Sequence, residues 1–279
     1  MNRNIFIIAA VLALILVVGG ISGCQKNGAI TISRCANLTQ TGATYVLTKS
    51  IINTTADCMN IMADNITLDC KGNKIDGDYP RAEDGIFIYN KSSNNIRNCI
   101  VTGFEYGIYL GHSSDNVITN NIASDNGEGI RIDRSSNNNI ITNNKVKNNG
   151  WGIFFEYNSN NNIVTNNEVN NNDEQGIFSE YSSGNEIANN TANNNGNYGI
   201  HIYKGLNNRI TNNVVKSNNK YGIYLLYSEN NVVEANNFCT NNDSYDIYDA
   251  GANVFSDNYC NQGRKYVSGQ ATDCDNLCP

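Results

Sequence analysis

A chain of 279 residues, 40% of them hydrophobic, has room for one large or two small domains. Its formal charge of −7 repels phosphate backbones, which argues against nucleic acid as a partner.

The amino terminus reads as an export signal. Arg3 supplies a positive start, Ile5–Val18 is an unbroken apolar run, and Ile21-Ser22-Gly23-Cys24 sets small residues before a cysteine. Residues 1–23 resemble a lipoprotein signal peptide, with Cys24 expected to be lipidated and to become the mature N-terminus. An uncleaved anchor helix competes, because Ile5–Ser22 is just long enough to span a bilayer. On either account the body is extracytoplasmic, at the cell surface or in the periplasm, and anchored to the membrane. Residues 24–42 read as a linker and N-terminal cap.

Residues 43–258 repeat. Gly-Ile at Gly85-Ile86 recurs at 107, 129, 152, 176, 199 and 222, and Asp246-Ile247 continues the series at intervals of 22 to 24 residues. The first and third residues after each Gly are apolar, as in Ile86/Ile88, Ile108/Leu110 and Ile130/Ile132; Ser179 is the one break up to Gly222. That alternation places one strand face inward. Ile118, Ile141, Val164, Ile187 and Ile210 form a second inward column. Val101, Ala123, Val146, Val169, Ala192, Val215, Cys239 and Cys260 form a third. Three short strands per unit predict an all-β, single-stranded parallel β-helix with rungs of 22–24 residues. A column of Asn121, Asn144, Asn167, Asn190, Asn213, Asn237 and Asn258 is expected at one corner, each amide bonding the next ~4.8 Å away. Asparagine also tolerates the left-handed backbone of a tight corner.

Before the Gly-Ile series, Tyr45–Gly77 has the same rhythm in irregular form, and after it residues 259–279 read as a Cys-rich C-terminal cap. Setting Cys24 aside, Cys35, Cys58, Cys70, Cys99, Cys239, Cys260, Cys274 and Cys278 gather toward the two ends of the chain. No CxxC pair exists, so disulfides that fasten the ends are expected in preference to zinc.

The Gly-Ile-x-Ile…Asn-Asn units, with Asn65–Gly77 (NITLDCKGNKIDG), resemble the parallel β-helix repeat proteins named for the periplasmic nitrous-oxide-reductase maturation factor. That superfamily includes carbohydrate-binding proteins and sugar hydrolases. The resemblance spans roughly residues 43–260 and implies a right-handed coil, in keeping with the handedness of parallel crossovers. It also suggests copper. Three Met and two His, with His112 and His201 four rungs or ~19 Å apart, do not cluster as soft-metal ligands do, so no metal site is expected.

The second residue after each repeat Gly should point outward. Phe87, Tyr109, Arg131, Phe154, Phe178, His201, Tyr224 and Tyr248 then form a solvent-facing line suited to stacking on sugars, and a polysaccharide is the expected partner. Aromatic packing within the ladder is the competing account. Two residues further on, Asp133, Glu156 and Glu180 stand on successive rungs, neighbours ~5 Å apart. They are candidate catalytic carboxylates of a glycosidase, lyase or epimerase, or else a solvated acidic line. No cofactor is expected; calcium is the one ion that the acidic line admits. The readings are a glycan-binding surface protein first, a polysaccharide-active enzyme second, and a ligand-free structural or adhesive protein third.

Overall fold

A computed structural model describes residues 28–242, 245–261, 264–266 and 276–278. The expected signal peptide, the Cys24 lipidation site and Cys274 lie outside them.

Three parallel sheets wind into a β-helix. The Gly-Ile sheet has eleven strands, from Ala36–Leu38 through Asp84–Tyr89, Tyr106–Gly111, Glu128–Asp133 and Trp151–Phe155 to Arg264–Tyr266. A second eleven-stranded sheet runs from Ile30–Ile32 to Val254–Ser256. The third has six strands, from Ile51–Thr54 to Glu168–Asn170, and continues as single bridges through Thr191, Val214, Asn237 and Tyr259. Strands at Ile30–Ile32 and Ala36–Leu38 already belong to these sheets, so the helix begins inside the segment expected to be linker and cap. Tyr259–Cys260 and Arg264–Tyr266 carry it past residue 258 at the other end.

Register confirms the apolar columns. Ile86, Ile108, Ile130, Ile153, Ile177, Ile200, Ile223 and Ile247 stand opposite one another in turn, and all are buried. Each buried isoleucine contributes about 1.5–3 kcal/mol of apolar transfer free energy. One column needs correction: Phe238, not Cys239, follows Val215, because Val214 bridges to Asn237. Phe238 is fully buried, while Cys239 turns to its disulfide with Cys278.

The same one-residue shift corrects the asparagine column, which passes from Asn213 through Asn236 to Asn258. Asn237 lies in the strand. Two further ladders accompany it. One runs Asn94, Asn116, Asn139, Asn162, Asn185, Asn208, Asn231, Asn253; the other runs Asn126, Asn149, Asn172, Asn195, Asn218, Asn241 and ends on the Asp246 carboxylate. In a rung such as Asn116, Asn121, Asn126 the three members lie five residues apart. In most rungs the Oδ1 accepts both the backbone N–H and an Nδ2–H of the preceding rung's asparagine, as Asn162 does from Asn139 at 2.8 and 3.1 Å. Its own Nδ2 donates onward to Asn185 and back to the Ser136 carbonyl. The amides of these ladders are thereby satisfied, which is why an asparagine-rich chain can fold as a solid.

Disulfides link Cys35–Cys58, Cys70–Cys99 and Cys239–Cys278. Cys99 also heads the central asparagine ladder, its backbone N–H donating to Asn121 Oδ1 at 2.9 Å.

Candidate functional site

The outward line of the Gly-Ile sheet is not the open row of rings that the sequence predicts. Phe154 is 2% exposed, Phe178 7%, Tyr109 8% and His201 8%. Stacking one rung on the next covers their faces: ring centroids lie 4.7 Å apart for Phe154–Phe178 and 4.4 Å for Phe178–His201, with interplanar angles of 12° and 11°. The residue before each repeat Gly closes the flank. Trp151 stands edge-on to Phe154 and Phe178, and Tyr198 and Tyr221 stack on Tyr224. Tyr248 packs against Tyr221 and Tyr224. A sugar cannot lie on faces that other rings already hold.

His201 pays most for its place: both ring nitrogens are buried without a hydrogen-bond partner, and burial lowers its pKa to about 3.

The line opens at its N-terminal end, because Gly111 stands between Tyr89 and Asp133 in the register. A Cβ there would come within 2.8 Å of the Tyr109 ring and hydroxyl and 2.9 Å of Tyr89. The bare backbone lets the Tyr109 and Tyr89 rings close over Gly111, and beside them lies a cavity of about 260 Å³ walled by the rings of Phe87, Tyr89, Tyr106 and Tyr109. Glu83, Asp84 and Asp133 supply its carboxylates, Arg131 and Arg134 its guanidiniums. A second cavity of about 500 Å³ shares Phe87 and Tyr89 and continues the groove past Asn37, Asn60, Met62 and Lys91.

Both arginines are engaged. Arg131 donates to Glu128 at 2.8 and 3.0 Å, is ion-paired with Glu156, and has its guanidinium 4.7 Å from the centre of the Phe154 ring. Arg134 lies 3.4 Å from Asp133 Oδ2. That same oxygen accepts from the Tyr109 hydroxyl at 3.2 Å, while Asp133 Oδ1 is buried with no partner. Asp84 Oδ1 is also buried without a partner. Burial, with the charges of Asp57 and Glu83 nearby, raises the Asp84 pKa to about 8. Burial raises Glu128 to about 7 even with Arg131 against it.

The expected catalytic carboxylates are therefore in three settings. Asp133 lines the cavity; Glu156 and Glu180 do not. Glu156 is tied to Arg131, and Glu180, half-buried, has its pKa raised by burial and by Glu156.

One feature escapes a reading of strand periodicity. At the corner after each Gly-Ile strand, His112, Arg134, Tyr157, Tyr181, Lys204 and Tyr227 hold φ between 47° and 53°. The chain's other left-handed corners are mostly asparagine, aspartate, serine or glycine. Bulky residues in that conformation cost roughly 1–2 kcal/mol each, and such costs gather at functional sites. Tyr157 is 52% exposed and Tyr227 64%. Lys204 Nζ donates to the Tyr181 hydroxyl at 2.9 Å and sits over the Tyr181 and Tyr203 rings.

With this geometry in place, its relatives can be named. The family model of the periplasmic copper-binding protein NosD matches residues 21–163 and 71–276. The chain belongs to the NosD family. No curated protein matches it significantly. Among solved structures, it resembles the Dettilon tailspike protein gp208 at a TM-score of 0.71 and 20% identity, over 83% of this chain and 54% of that one. It resembles the A-module of the Azotobacter vinelandii mannuronan C-5 epimerase AlgE4 at 0.63 and 16%, over 90% and 87%. The periplasmic alginate epimerase AlgG follows at 0.56 and 19%, over 80% and 61%. The chain thus spans about half of the tailspike. At these identities the likeness is one of fold: a right-handed parallel β-helix, in a family that is periplasmic and here disulfide-bonded.

Copper does not fit the residues described. Among them no group of three or more His, Cys, Asp or Glu is placed to hold a metal ion, and the Asp133, Glu156, Glu180 line forms none for calcium either. His112 packs edge-on to Tyr89, His201 is enclosed by rings, and the described cysteines are all in disulfides.

Proposed function

We propose that this NosD-family protein binds a polysaccharide along the Gly-Ile sheet, with the cavity at Gly111 as its deepest subsite. The observation that carries this is the strained corner row. From His112 to Tyr227 it crosses five rung spacings, ~24 Å, and offers hydroxyl, ammonium, guanidinium and ring groups to solvent in a straight line. Asparagine would form the same corners without the backbone cost, so the bulky side chains answer to something other than folding. A linear row at fixed pitch suits a linear polymer, and polar groups beside tyrosine rings suit one built of sugars. The β-helices of two epimerases whose names specify mannuronan and alginate share the fold and give the proposal its context.

Binding rather than turnover is the better-supported activity, because Asp133 enters the cavity without Glu156 or Glu180. Lipidation at Cys24 would hold the face outside the membrane. The intact mass of the mature protein tests that: an acylated Cys24 terminus supports it, and an unlipidated Met1 overturns it.

The binding proposal is tested by a glycan array probed with the wild-type protein beside a Tyr157→Asn/Tyr181→Asn variant. Both substitutions suit a left-handed corner, so the fold is kept. Binding by the wild type that the variant loses supports the proposal. Equal binding by both, or none by the wild type, refutes it.

A further inference from the structure

The aromatic ladder of the Gly-Ile sheet stops at Phe87. One face of that ring is stacked on Tyr109, a rung further on, with centroids 5.5 Å apart and an interplanar angle of 13°. One rung back, the register sets Asn60 against Phe87, and Asn37 against Asn60. An amide is too short to cover a phenyl ring, so the second face of Phe87 has no ring upon it. The Tyr89 ring stands beside Phe87 on the same strand, 5.9 Å away and within 6° of parallel. Together they form a flat floor, half-buried at Phe87 and 39% exposed at Tyr89.

This floor bounds the cavity of about 500 Å³. Apart from Phe87, Tyr89 and Lys91, the lining of that cavity comes from rungs before them, so it occupies the place of the rung of rings that the ladder lacks. Asn60 Nδ2 donates to Asn37 Oδ1 at 2.9 Å, which leaves Asn60 Oδ1 as an acceptor and Asn37 Nδ2 as a donor, both neutral. A bare aromatic ring would stack here but leave the amide pair unmet. A pyranose meets both demands: its C–H face suits the negative face of an aromatic ring, and its hydroxyls donate and accept at the edge. The charged lining residues stand off. Asp57 lies three residues before Asn60, ~10 Å along the strand, and the Lys91 ammonium donates to the Asn90 carbonyl at 3.1 Å. A sugar centred on Phe87 therefore meets amides, and a neutral one fits.

Orientation decides which part of a polymer this sugar is. Rings stacked from rung to rung lie across the helix axis, whereas the corner row from His112 to Tyr227 runs along it. A pyranose within a chain that follows the row has its ring plane along the chain. One lying flat on Phe87 is turned through about a right angle, and so branches from that chain. Building on the polysaccharide reading above, we propose that this cavity takes a neutral pyranose side group, stacked on Phe87 and Tyr89 in place of the missing rung and hydrogen-bonded to Asn60 and Asn37. The ligand class so identified is a branched polysaccharide whose main chain follows the corner row.

Isothermal titration of the mature full-length protein with two matched pairs tests this: galactosylated mannopentaose beside mannopentaose, and xylosylated cellotetraose beside cellotetraose. In the pair whose main chain fits the row, the branched member is expected to bind at least about tenfold more tightly than the unbranched one. Asn60→Phe sets a ring in register with Phe87 and closes the cavity. It should bring the branched member down to the affinity of the unbranched one, with a melting temperature at or above wild type. If that variant fails to fold, Phe87→Leu removes the floor instead and should abolish the preference in the same way. Tyr157→Asn/Tyr181→Asn should weaken both members by the same factor, because it acts on the main chain. Branched and unbranched members binding alike, or a preference that survives both cavity variants, overturns the inference and leaves polysaccharide binding standing. If no oligosaccharide of either pair binds, both the inference and the polysaccharide reading fall.

Discussion

The Tyr109 hydroxyl donates to Asp133 one rung along, at 3.2 Å, across the gap that Gly111 leaves between them. This bond engages Oδ2 of Asp133, while Oδ1 is buried with no partner. It also turns a repeat otherwise devoted to stacking into a place with an interior. Tyr109→Phe should keep the ring packing and free Asp133 to rotate. Its expected effect is a loss of glycan affinity of several fold, with a melting temperature close to wild type, measured by titration and thermal denaturation.

Stability and binding should trade at the strained corners. Tyr181→Asn relieves left-handed backbone strain worth roughly 1 kcal/mol and removes an exposed ring. The variant is expected to resist urea better than wild type while binding the glycan less well. A loss of stability would show that the ring is held for packing.

Phe154→Ala should behave in the opposite way. Its ring is buried between Arg131, Trp151 and Phe178, so truncation is expected to cost about 3–5 kcal/mol in chemical denaturation. Glycan affinity per folded molecule should change little, because the ring face is already occupied.

The asparagine ladders predict a sharp contrast between neighbours. Asn162→Ala strands the backbone N–H and one Nδ2–H of Asn139, two buried donors at roughly 1–3 kcal/mol each. A total of about 2–6 kcal/mol is expected from urea unfolding. Asn158→Gly, at an exposed left-handed corner, should stay within about 0.5 kcal/mol of wild type.

The response to pH follows from three buried groups. His201 has a folded pKa near 3, below its usual 6.5, so the unfolded chain binds the extra proton and stability falls as pH drops through that window. Asp84 and Glu128 have folded values near 8 and 7, above their usual 3.8 and 4.5. Their contribution is present below the unfolded values and is lost as pH rises through the folded ones. His201→Phe, which suits the stack between Phe178 and Tyr224, should therefore flatten the acid limb of a plot of melting temperature against pH. Asp84→Asn should flatten the decline between about pH 4 and 8.

How much of this could be read from the sequence depends on the distance over which each feature is determined. The apolar columns were legible because strand alternation is local and the Gly-Ile mark supplies the register. One asparagine ladder was legible for the same reason. The signal for the other two, the five-residue spacing of Asn116, Asn121 and Asn126, lay beside it. The shift at Asn236 and Phe238 was not legible, since only the Val214–Asn237 bridge decides it. Outward direction was legible for Phe154 and Phe178; their burial was not, because it comes from Trp151 and from rings one rung away. The cavity was the least legible feature of all. It is lined by side chains from three successive rungs, and Glu83, Asp84 and Tyr106 come from columns that pattern reading passed over.

A crystal structure of the protein with a bound oligosaccharide tests the central claim most directly. The account predicts a sugar chain lying along the row from Arg134 to Tyr227. An oligosaccharide seated on either of the other two sheets would contradict it.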